Sequence, residues 1–264
     1  MRMALLSGLF TWWLSFGLSG AAGAQSNFPH ARAHAHNDYE HARPLKDALK
    51  YGFTSVEADV HLHKGRLRVG HNSVTKNSPE LEVAYLSPLD SLVKRNRGGV
   101  YGSYKGIFYL MIDIKTEAVS TYKEIRQLLA KYPGLLCTTD DCPVKIFLSG
   151  NRPIEMMLEE GYQGIALDGR PDDLGKNYPV RMIPVVSDNF NKWSSWNGKG
   201  TPKDFDRITD LAKRVHQEGR LLRLWAIPDN NAAWQALLDA GVDLINSDRL
   251  EELHQFFDSG AGKK

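Results

Sequence analysis

Short apolar runs alternate along this chain with longer segments in which apolar residues recur at helical spacing. An apolar run of about four to eight residues next to glycine or proline is typical of a buried strand, and a longer amphipathic segment is typical of a surface helix. The pattern predicts strands at 31–36, 55–61, 107–114, 144–148, 164–168, 182–186, 221–227 and 242–246. It predicts helices at 44–52, 87–96, 117–132, 153–161, 203–218, 231–240 and 249–257.

Eight strands that alternate with helices over 264 residues predict an α/β protein, a single (β/α)8 TIM barrel. The connection at 169–179 lacks a helical pattern, so one βα helix is expected to be weak or missing. Residues 67–70 form an additional β-excursion after the second strand. No linker or repeat divides residues 25–264, which we therefore interpret as one domain.

Two carboxylates lie within the second predicted strand, Ser55–His61. Because side chains alternate along a strand, Glu57 and Asp59 share one face, with Cα atoms roughly 7 Å apart. Two such carboxylates repel each other unless a cation lies between them. Oxygen ligands suit a hard ion, Mg²⁺ or Ca²⁺, rather than zinc.

Further polar residues lie at or near the carboxyl ends of predicted strands, where the active sites of TIM barrels are found. His36 ends the first strand, and Asp113 and Lys115 share one face at the end of the third. His71 directly follows the β-excursion, which can fold back to the same opening. We therefore expect these side chains to meet Glu57 and Asp59 at one end of the barrel.

The order of these residues resembles that of a known superfamily. The pattern is a histidine after strand one (His36), Gly-x-x-x-x-Glu-x-Asp (52–59) and Gly-His (70–71), followed by Asp-Ile-Lys (113–115), Trp225 and the segment 241–248. It resembles the phosphatidylinositol-phospholipase-C-like phosphodiesterases, in particular their glycerophosphodiester phosphodiesterase and sphingomyelinase D branch. The segment 37–41, Asn-Asp-Tyr-Glu-His, is similar to an uncharacterised subgroup of that superfamily.

The resemblance implies a metal-dependent phosphoric diester hydrolase that acts on a glycerophosphodiester or a phospholipid-type substrate. It implies that His36 and His71 are the general acid and base and that Glu57, Asp59 and Asp113 bind one divalent cation. Mg²⁺ is favoured over Ca²⁺, because Asp113 is closer to the sphingomyelinase D pattern than to the glutamate of the glycerophosphodiester enzymes. The substrate-binding residues that it implies are Lys115 at the phosphate, Trp225 and Asn37.

Two other functions fit the same fold. Asn37 stands where the glycerophosphodiester enzymes have an arginine, which favours a non-catalytic TIM barrel that binds phosphorylated ligands. A glycosidase is a third possibility, and it would need two carboxyl groups flanking a sugar.

Charge and composition narrow the range of partners. With 33 basic and 31 acidic side chains the chain is nearly neutral, which gives no indication of the concentrated basic face that nucleic-acid binding requires. We expect a small-molecule or lipid phosphodiester as substrate and a monomeric protein. Contact with a membrane surface is compatible with these features.

The first 24 residues have the features of a secretory signal peptide: Arg2, an apolar run from Ala4 to Leu18, and Ala-Gly-Ala at 22–24. An uncleaved anchor is the alternative. Export predicts a secreted or periplasmic protein, and in an oxidising compartment Cys137 and Cys142 are expected to form a disulfide that closes a small loop.

Overall fold

Eight parallel strands form a closed barrel in the computed structural model, which describes residues 28–102, 104–139 and 142–260. The ring closes where the first strand pairs with the second. The barrel strands are β1 (His30–Ala35), β2 (Phe53–His63), β4 (Phe108–Ile114), β5 (Val144–Gly150), β6 (Ile165–Gly169), β7 (Val185–Asn189), β8 (Leu221–Trp225) and β9 (Leu244–Ser247). The β-excursion is β3 (Arg66–Val69), which runs antiparallel to β2. The predicted TIM barrel is confirmed.

Helices connect most of the strands on the outside of the barrel. Within the described residues they are α1 (Lys46–Lys50), α2 (Ser87–Arg95), α3 (Ala118–Leu129), α4 (Ile154–Glu160), α5 (Phe205–Gln217), α6 (Asn231–Asp239) and α7 (Leu250–Asp258). Between β6 and β7 there is only a 3-10 turn at Pro171–Asp173, as expected from the missing helical pattern. None of the described helices combines the length and the apolar character that crossing a membrane requires.

Three local predictions differ from the structure. The sixth predicted strand, 182–186, lies at Val185–Asn189, because Pro184 has no N–H to donate and the Met182 N–H already bonds to the Pro179 carbonyl in a turn. Strand β8 ends at Trp225 rather than at 227, since the next residue, Ala226, has a φ of 57°. Residues 82–86, where the sequence predicted no helix, form a π-helical turn that continues into α2.

The inside of the barrel changes from apolar to polar along the strand direction. A small apolar cluster from five strands fills its lower part: Met111, Phe147, Ala166, Val185 and Leu244. Two residues further along the same strands, on the same face, stand Asp113, Ser149, Asp168, Ser187 and Asn246. The alternate residues on the outer face, such as Leu110 and Ile112, pack against the helices in the main core. The polar layer therefore lies at the carboxyl ends of the strands, above an apolar floor.

Cys137 and Cys142 are joined by a disulfide in the loop before β5, with their Cα atoms 5.1 Å apart. This is the pairing that the sequence predicted. The predicted signal peptide, residues 1–24, lies outside the described residues.

Candidate active site

A cavity of about 420 Å³ opens at the carboxyl ends of the strands. It is lined by His36, Asn37, Glu57, His71, Asp113, Lys115, Ser149, Gly150, Arg170, Arg223, Trp225 and Ala226. Asp59 is fully buried beside it and contacts two of the lining residues, His71 and Lys115. The structure thus brings together all the residues that the sequence predicted to act as acid and base, to bind the cation and to bind the substrate.

His36 lies directly after β1, where its N–H bonds to the Ser247 carbonyl of β9 at 3.1 Å. Its Nδ1 is 2.8 Å from Asp248 Oδ1, and its Nε2 is 3.8 Å from Glu57 Oε2. Burial lowers the pKa of His36, but the hydrogen bond with Asp248 and the charge of Glu57 outweigh burial, and the pKa is raised. The ring is therefore held by one carboxylate at Nδ1, with Nε2 on the side of Glu57.

His71 is held in a similar way from the other side of β2. The N–H of Gly70 bonds to the Asp59 carbonyl at 3.0 Å, which ties the end of β3 to β2. His71 Nδ1 then lies 2.8 Å from Asp59 Oδ2, while about half of its side chain (51%) is exposed. Because a carboxylate only accepts hydrogen bonds, Nδ1 carries the proton and Nε2 is left for proton exchange.

Tyr39 links the two histidine segments, a role that the sequence did not indicate. Its hydroxyl lies 2.8 Å from Asp59 Oδ2, 2.8 Å from Asn37 Oδ1 and 3.1 Å from His71 Nδ1. The residue belongs to a 3-10 turn, Asp38–Glu40, which follows Asn37 in a left-handed conformation with a φ of 48°. Asn37 therefore takes part in the hydrogen bonding of the site itself.

The three carboxyl groups form one cluster. Oxygen atoms of Glu57, Asp59 and Asp113 all lie within 4.8 Å of one another, and Asp59 Oδ1 is buried with no hydrogen-bond partner. Burial raises the pKa of Asp113; Lys115 opposes this effect, and the charges of Glu57 and Asp59 add to it. Crowded carboxylates with one unsatisfied buried oxygen fit an oxygen-ligated divalent cation.

Two basic side chains border this cluster. Lys115 Nζ is 3.1 Å from both Asp59 Oδ2 and Asp113 Oδ1. Arg223, almost fully buried, lies 3.2 Å from Glu57 Oε2 and donates to Asn246 Oδ1 at 2.7 Å. Burial raises the pKa of Glu57, but the neighbouring His34 and the charge of Arg223 lower it to about 2.

Arg223 was not recognised from the sequence, although a signal exists. It is the only charged residue in the strand Leu-Leu-Arg-Leu-Trp, and it shares a face with Trp225, which the sequence did single out. Trp225 lies at the rim with 37% of its surface exposed. His34 was not assigned a catalytic or ligand-binding role from the sequence. Burial and the charge of Arg223 lower its pKa to about 4, which makes it a neutral neighbour of Glu57.

The opposite wall of the cavity is held by another buried carboxylate, that of Asp168. Asp168 accepts hydrogen bonds from Ser149 Oγ at 2.8 Å, Ser187 Oγ at 2.6 Å and Arg170 Nη1 at 2.7 Å. These four residues stand on or just after three successive strands, β5, β6 and β7. The network fixes the Arg170 guanidinium at the cavity wall, where the sequence had indicated no basic residue.

Comparison with known proteins gives a consistent picture. A family model described as the AIM6-like phosphodiesterase domain matches residues 24–160, which include both histidines and the three carboxylates but not Arg223 or Trp225. "Altered inheritance of mitochondria protein 6" of Saccharomyces cerevisiae (S288c) is 31% identical over 82% of this chain and 68% of its own length. The protein of that name in Eremothecium gossypii is 27% identical over 85% of this chain and 69% of its own length.

Among solved structures, the chain is similar to a glycerophosphodiester phosphodiesterase from Agrobacterium tumefaciens. The sequence identity is 13% and the TM-score is 0.48, with 86% of this chain and 99% of that chain covered.

Proposed function

Since the chain belongs to the family of AIM6-like phosphodiesterase domains, we propose that it is a metal-dependent phosphoric diester hydrolase acting on a glycerophosphodiester or phospholipid-type substrate. One observation carries this proposal. Two histidines, each with Nδ1 on a carboxylate, lie next to a cluster of three carboxylates at the mouth of a barrel. This arrangement suits the breaking of a bond between phosphorus and oxygen, which needs a proton acceptor, a proton donor and stabilisation of negative charge.

The two imidazoles supply the proton transfers. With Nδ1 held by Asp248 in His36 and by Asp59 in His71, each ring keeps Nε2 for the substrate. One ring takes a proton from the attacking water or hydroxyl group, and the other gives a proton to the leaving oxygen. A positioned acid–base pair of this kind typically contributes about 100- to 10,000-fold to a rate.

Glu57, Asp59 and Asp113 are the residues that would hold one divalent cation, with Mg²⁺ favoured over Ca²⁺. When bound, the ion would polarise a phosphoryl oxygen as a Lewis acid. Asp59 Oδ1 supports the assignment, because a buried carboxylate oxygen without a hydrogen-bond partner is costly unless something else occupies it.

The substrate would be oriented by groups around the cavity. Lys115 and Arg170 offer cationic N–H donors to phosphoryl oxygens, while the exposed face of Trp225 offers an apolar surface to the leaving group. Asn37 lines the cavity and accepts from the Tyr39 hydroxyl through Oδ1, which leaves its amide N–H groups for the substrate.

Hydrolysis of a chromogenic phosphodiester with and without chelator tests the proposal. We expect EDTA to abolish turnover, Mg²⁺ to restore it, and His36→Ala and His71→Ala each to lower kcat at least about 100-fold. His216→Ala is a matched control, since His216 also pairs with a carboxylate, that of Asp243 at 2.7 Å, but lies outside the cavity. Turnover that resists both EDTA and His36→Ala would refute the hydrolase. Calorimetry that shows tight binding without turnover would instead favour the non-catalytic barrel.

We also infer export through a cleaved signal peptide. Amino-terminal sequencing of the protein recovered from the producing cells is expected to begin after Ala24. A chain that begins at Met1 would contradict cleavage.

A further inference from the structure

A second group of potential ligands lies at the opposite end of the barrel from the cavity. His30 is the first residue of β1, whereas His36, at the cavity, follows the end of that strand. Six residues of strand separate them by roughly 20 Å. His254 and Asp258, on α7, complete the group, and atoms of all three side chains lie within 4.8 Å of one another.

The local structure explains why these side chains meet. Positions four apart on a helix share a face, so His254 and Asp258 project together from α7. Phe257, which lies between them in sequence, stacks on the His30 ring with centroids 5.3 Å apart and holds it against the helix. His30 is buried, whereas the side chains of His254 and Asp258 are 24% and 41% exposed. The group is therefore fixed on one side and open to solvent on the other.

We propose that His30, His254 and Asp258 bind a transition-metal ion of the zinc class. Two imidazole nitrogens and one carboxylate oxygen suit Zn²⁺, whereas the all-oxygen cluster of the cavity suits Mg²⁺ or Ca²⁺. Two ligands one helical turn apart and a third from a distant strand are a common source of zinc coordination. The exposed side of the group leaves a fourth position for water.

The donor atoms lie close enough together to converge on one ion. His30 Nε2 is 2.8 Å from His254 Nδ1 and 3.7 Å from Asp258 Oδ1, and His254 Nε2 is 3.5 Å from Asp258 Oδ2. The two His254 distances refer to different ring nitrogens, so the imidazole has to turn and offer one nitrogen to the ion. Ligand atoms about 2.0–2.1 Å from a tetrahedral zinc ion lie about 3.3 Å apart, and rotation of the two partly exposed side chains on α7 would bring the three ligand atoms to this spacing.

A metal ion bound at this site is expected to stabilise the fold. His30 and His254 are 224 residues apart, so an ion held by both would join the first strand of the barrel to its last helix. An ion that binds the folded chain and not the unfolded chain raises stability in proportion to the logarithm of its concentration. At saturating Zn²⁺ we expect Tm to rise by about 5 °C.

The test uses the full untagged protein, stripped with chelator and then titrated with Zn²⁺ or Co²⁺. We expect one Zn²⁺ per chain by elemental analysis, the visible absorption of a tetrahedral Co²⁺ site, and the rise in Tm. His254→Gln and Asp258→Asn are each expected to remove all three signals. Two variants should keep them: Asp113→Asn, which alters the carboxylate cluster of the cavity, and His216→Gln, which removes another imidazole paired with a carboxylate.

Two results would overturn the proposal. Zinc binding and the Co²⁺ spectrum that survive both His254→Gln and Asp258→Asn place the ion elsewhere, as does their loss in Asp113→Asn alone. Circular dichroism of the metal-free variants separates loss of the site from loss of the fold, and the partly exposed Asp258 is the change least disruptive to packing. Failure of the proposed hydrolase activity would leave these signals unchanged, because no residue is shared between the two sites.

Discussion

The two carboxylate oxygens of Asp59 have different contacts in the candidate active site. Asp59 Oδ2 contacts Tyr39, His71 and Lys115, while Asp59 Oδ1 has no hydrogen-bond partner. One carboxylate thus orients a histidine with one oxygen, and its other oxygen has no hydrogen-bond partner, as the proposed cation site requires. Changes to its neighbours are therefore expected to affect catalysis more than stability.

Tyr39→Phe tests this at one atom. The substitution removes the hydroxyl that bonds to Asp59 and Asn37, and it leaves the half-buried ring in place. Loss of a group that orients a metal ligand typically costs about 10- to 100-fold in activity or metal affinity, and we expect kcat to fall by about 10-fold. Tyr132→Phe, which removes a hydroxyl bonded to Glu82 far from the cavity, is the control and should keep full activity. Equal rates in the two variants would contradict the role of Tyr39.

Asp248→Asn tests the electrostatics of His36. The folded-state pKa of His36 is raised above its usual value of 6.5, so the stabilisation is complete below that value and is lost as the pH rises through the raised pKa. We expect Asp248→Asn to lower Tm at pH 5 by no more than about 3 °C, because Asp248 is exposed, and to have little effect at pH 9. If the difference in Tm between the variant and the unmodified protein does not vary with pH, the contact between His36 and Asp248 does not depend on protonation of His36.

Substitution of Arg170, at the cavity wall, is expected to weaken substrate binding. Arg170 is fixed by Asp168 and belongs to the cavity lining without contacting either histidine or the carboxylate cluster. For Arg170→Ala we expect KM for an anionic phosphodiester to rise about 10-fold with a smaller change in kcat, since an N–H donor to the bound anion is lost. Arg207→Ala, which removes an exposed guanidinium outside the cavity, should change neither constant. A fall in kcat alone would assign Arg170 to the chemical step.

At the scale of secondary-structure elements, strand parity explains most of the site residues that were identified from the sequence. Glu57 and Asp59 lie on one face of β2, and Asp113 and Lys115 follow the same rule at β4. Parity also places Arg223 on the face of Trp225, but the strand itself does not indicate its partner Glu57, which stands 166 residues earlier. Strand parity could not identify Tyr39, because the position of Tyr39 depends on the left-handed conformation of Asn37 and on a 3-10 turn.

Substitution of Gly150 tests how closely β5 must approach β4. It ends β5 with a φ of +66°, and an added Cβ would collide with Asp113 Oδ1 and with the backbone of Ile114. Gly65, in the turn between β2 and β3, has a φ of +73° and open space around it. Gly65→Ala should therefore cost only the conformational penalty of about 1–2 kcal/mol, whereas Gly150→Ala should cost more and should also weaken cation binding. Urea unfolding and metal titration of both variants give the comparison, and equal losses of stability would exclude the collision.

At the scale of the molecule, alternation of strands and helices was sufficient to predict the barrel. Its closure depends on contacts that the sequence does not display, the pairing of β1 with both β2 and β9. Local errors arose where backbone constraints override periodicity, as at Pro184 and Ala226. Of the polar layer above the apolar floor, only Asp113 was identified from the sequence, together with Glu57 and Asp59, because carboxylates inside a barrel are costly to bury unless they are paired or bind a cation.

Removal of α7 tests closure directly. The helix buries Leu250, Leu253, Phe256 and Phe257 against the barrel next to β1. Burial of each such side chain contributes about 1.5–3 kcal/mol, so loss of all four is comparable with the total stability of a domain. A chain that ends at Asp248 should lose its near-ultraviolet circular dichroism and its cooperative unfolding, whereas one that ends at Gly260 should keep both. A folded, truncated protein would show that the eight strands close without the helix.

The meeting of β1 and α7 has a directional consequence. Phe28 precedes the strand and Gly260 follows the helix, so both described ends leave the molecule on the side of His30, away from the cavity. A tether attached at either end, whether an affinity tag or a lipid anchor, would turn the opening outward from the surface that holds it. A protein immobilised through either end would therefore keep its cavity open to the solution.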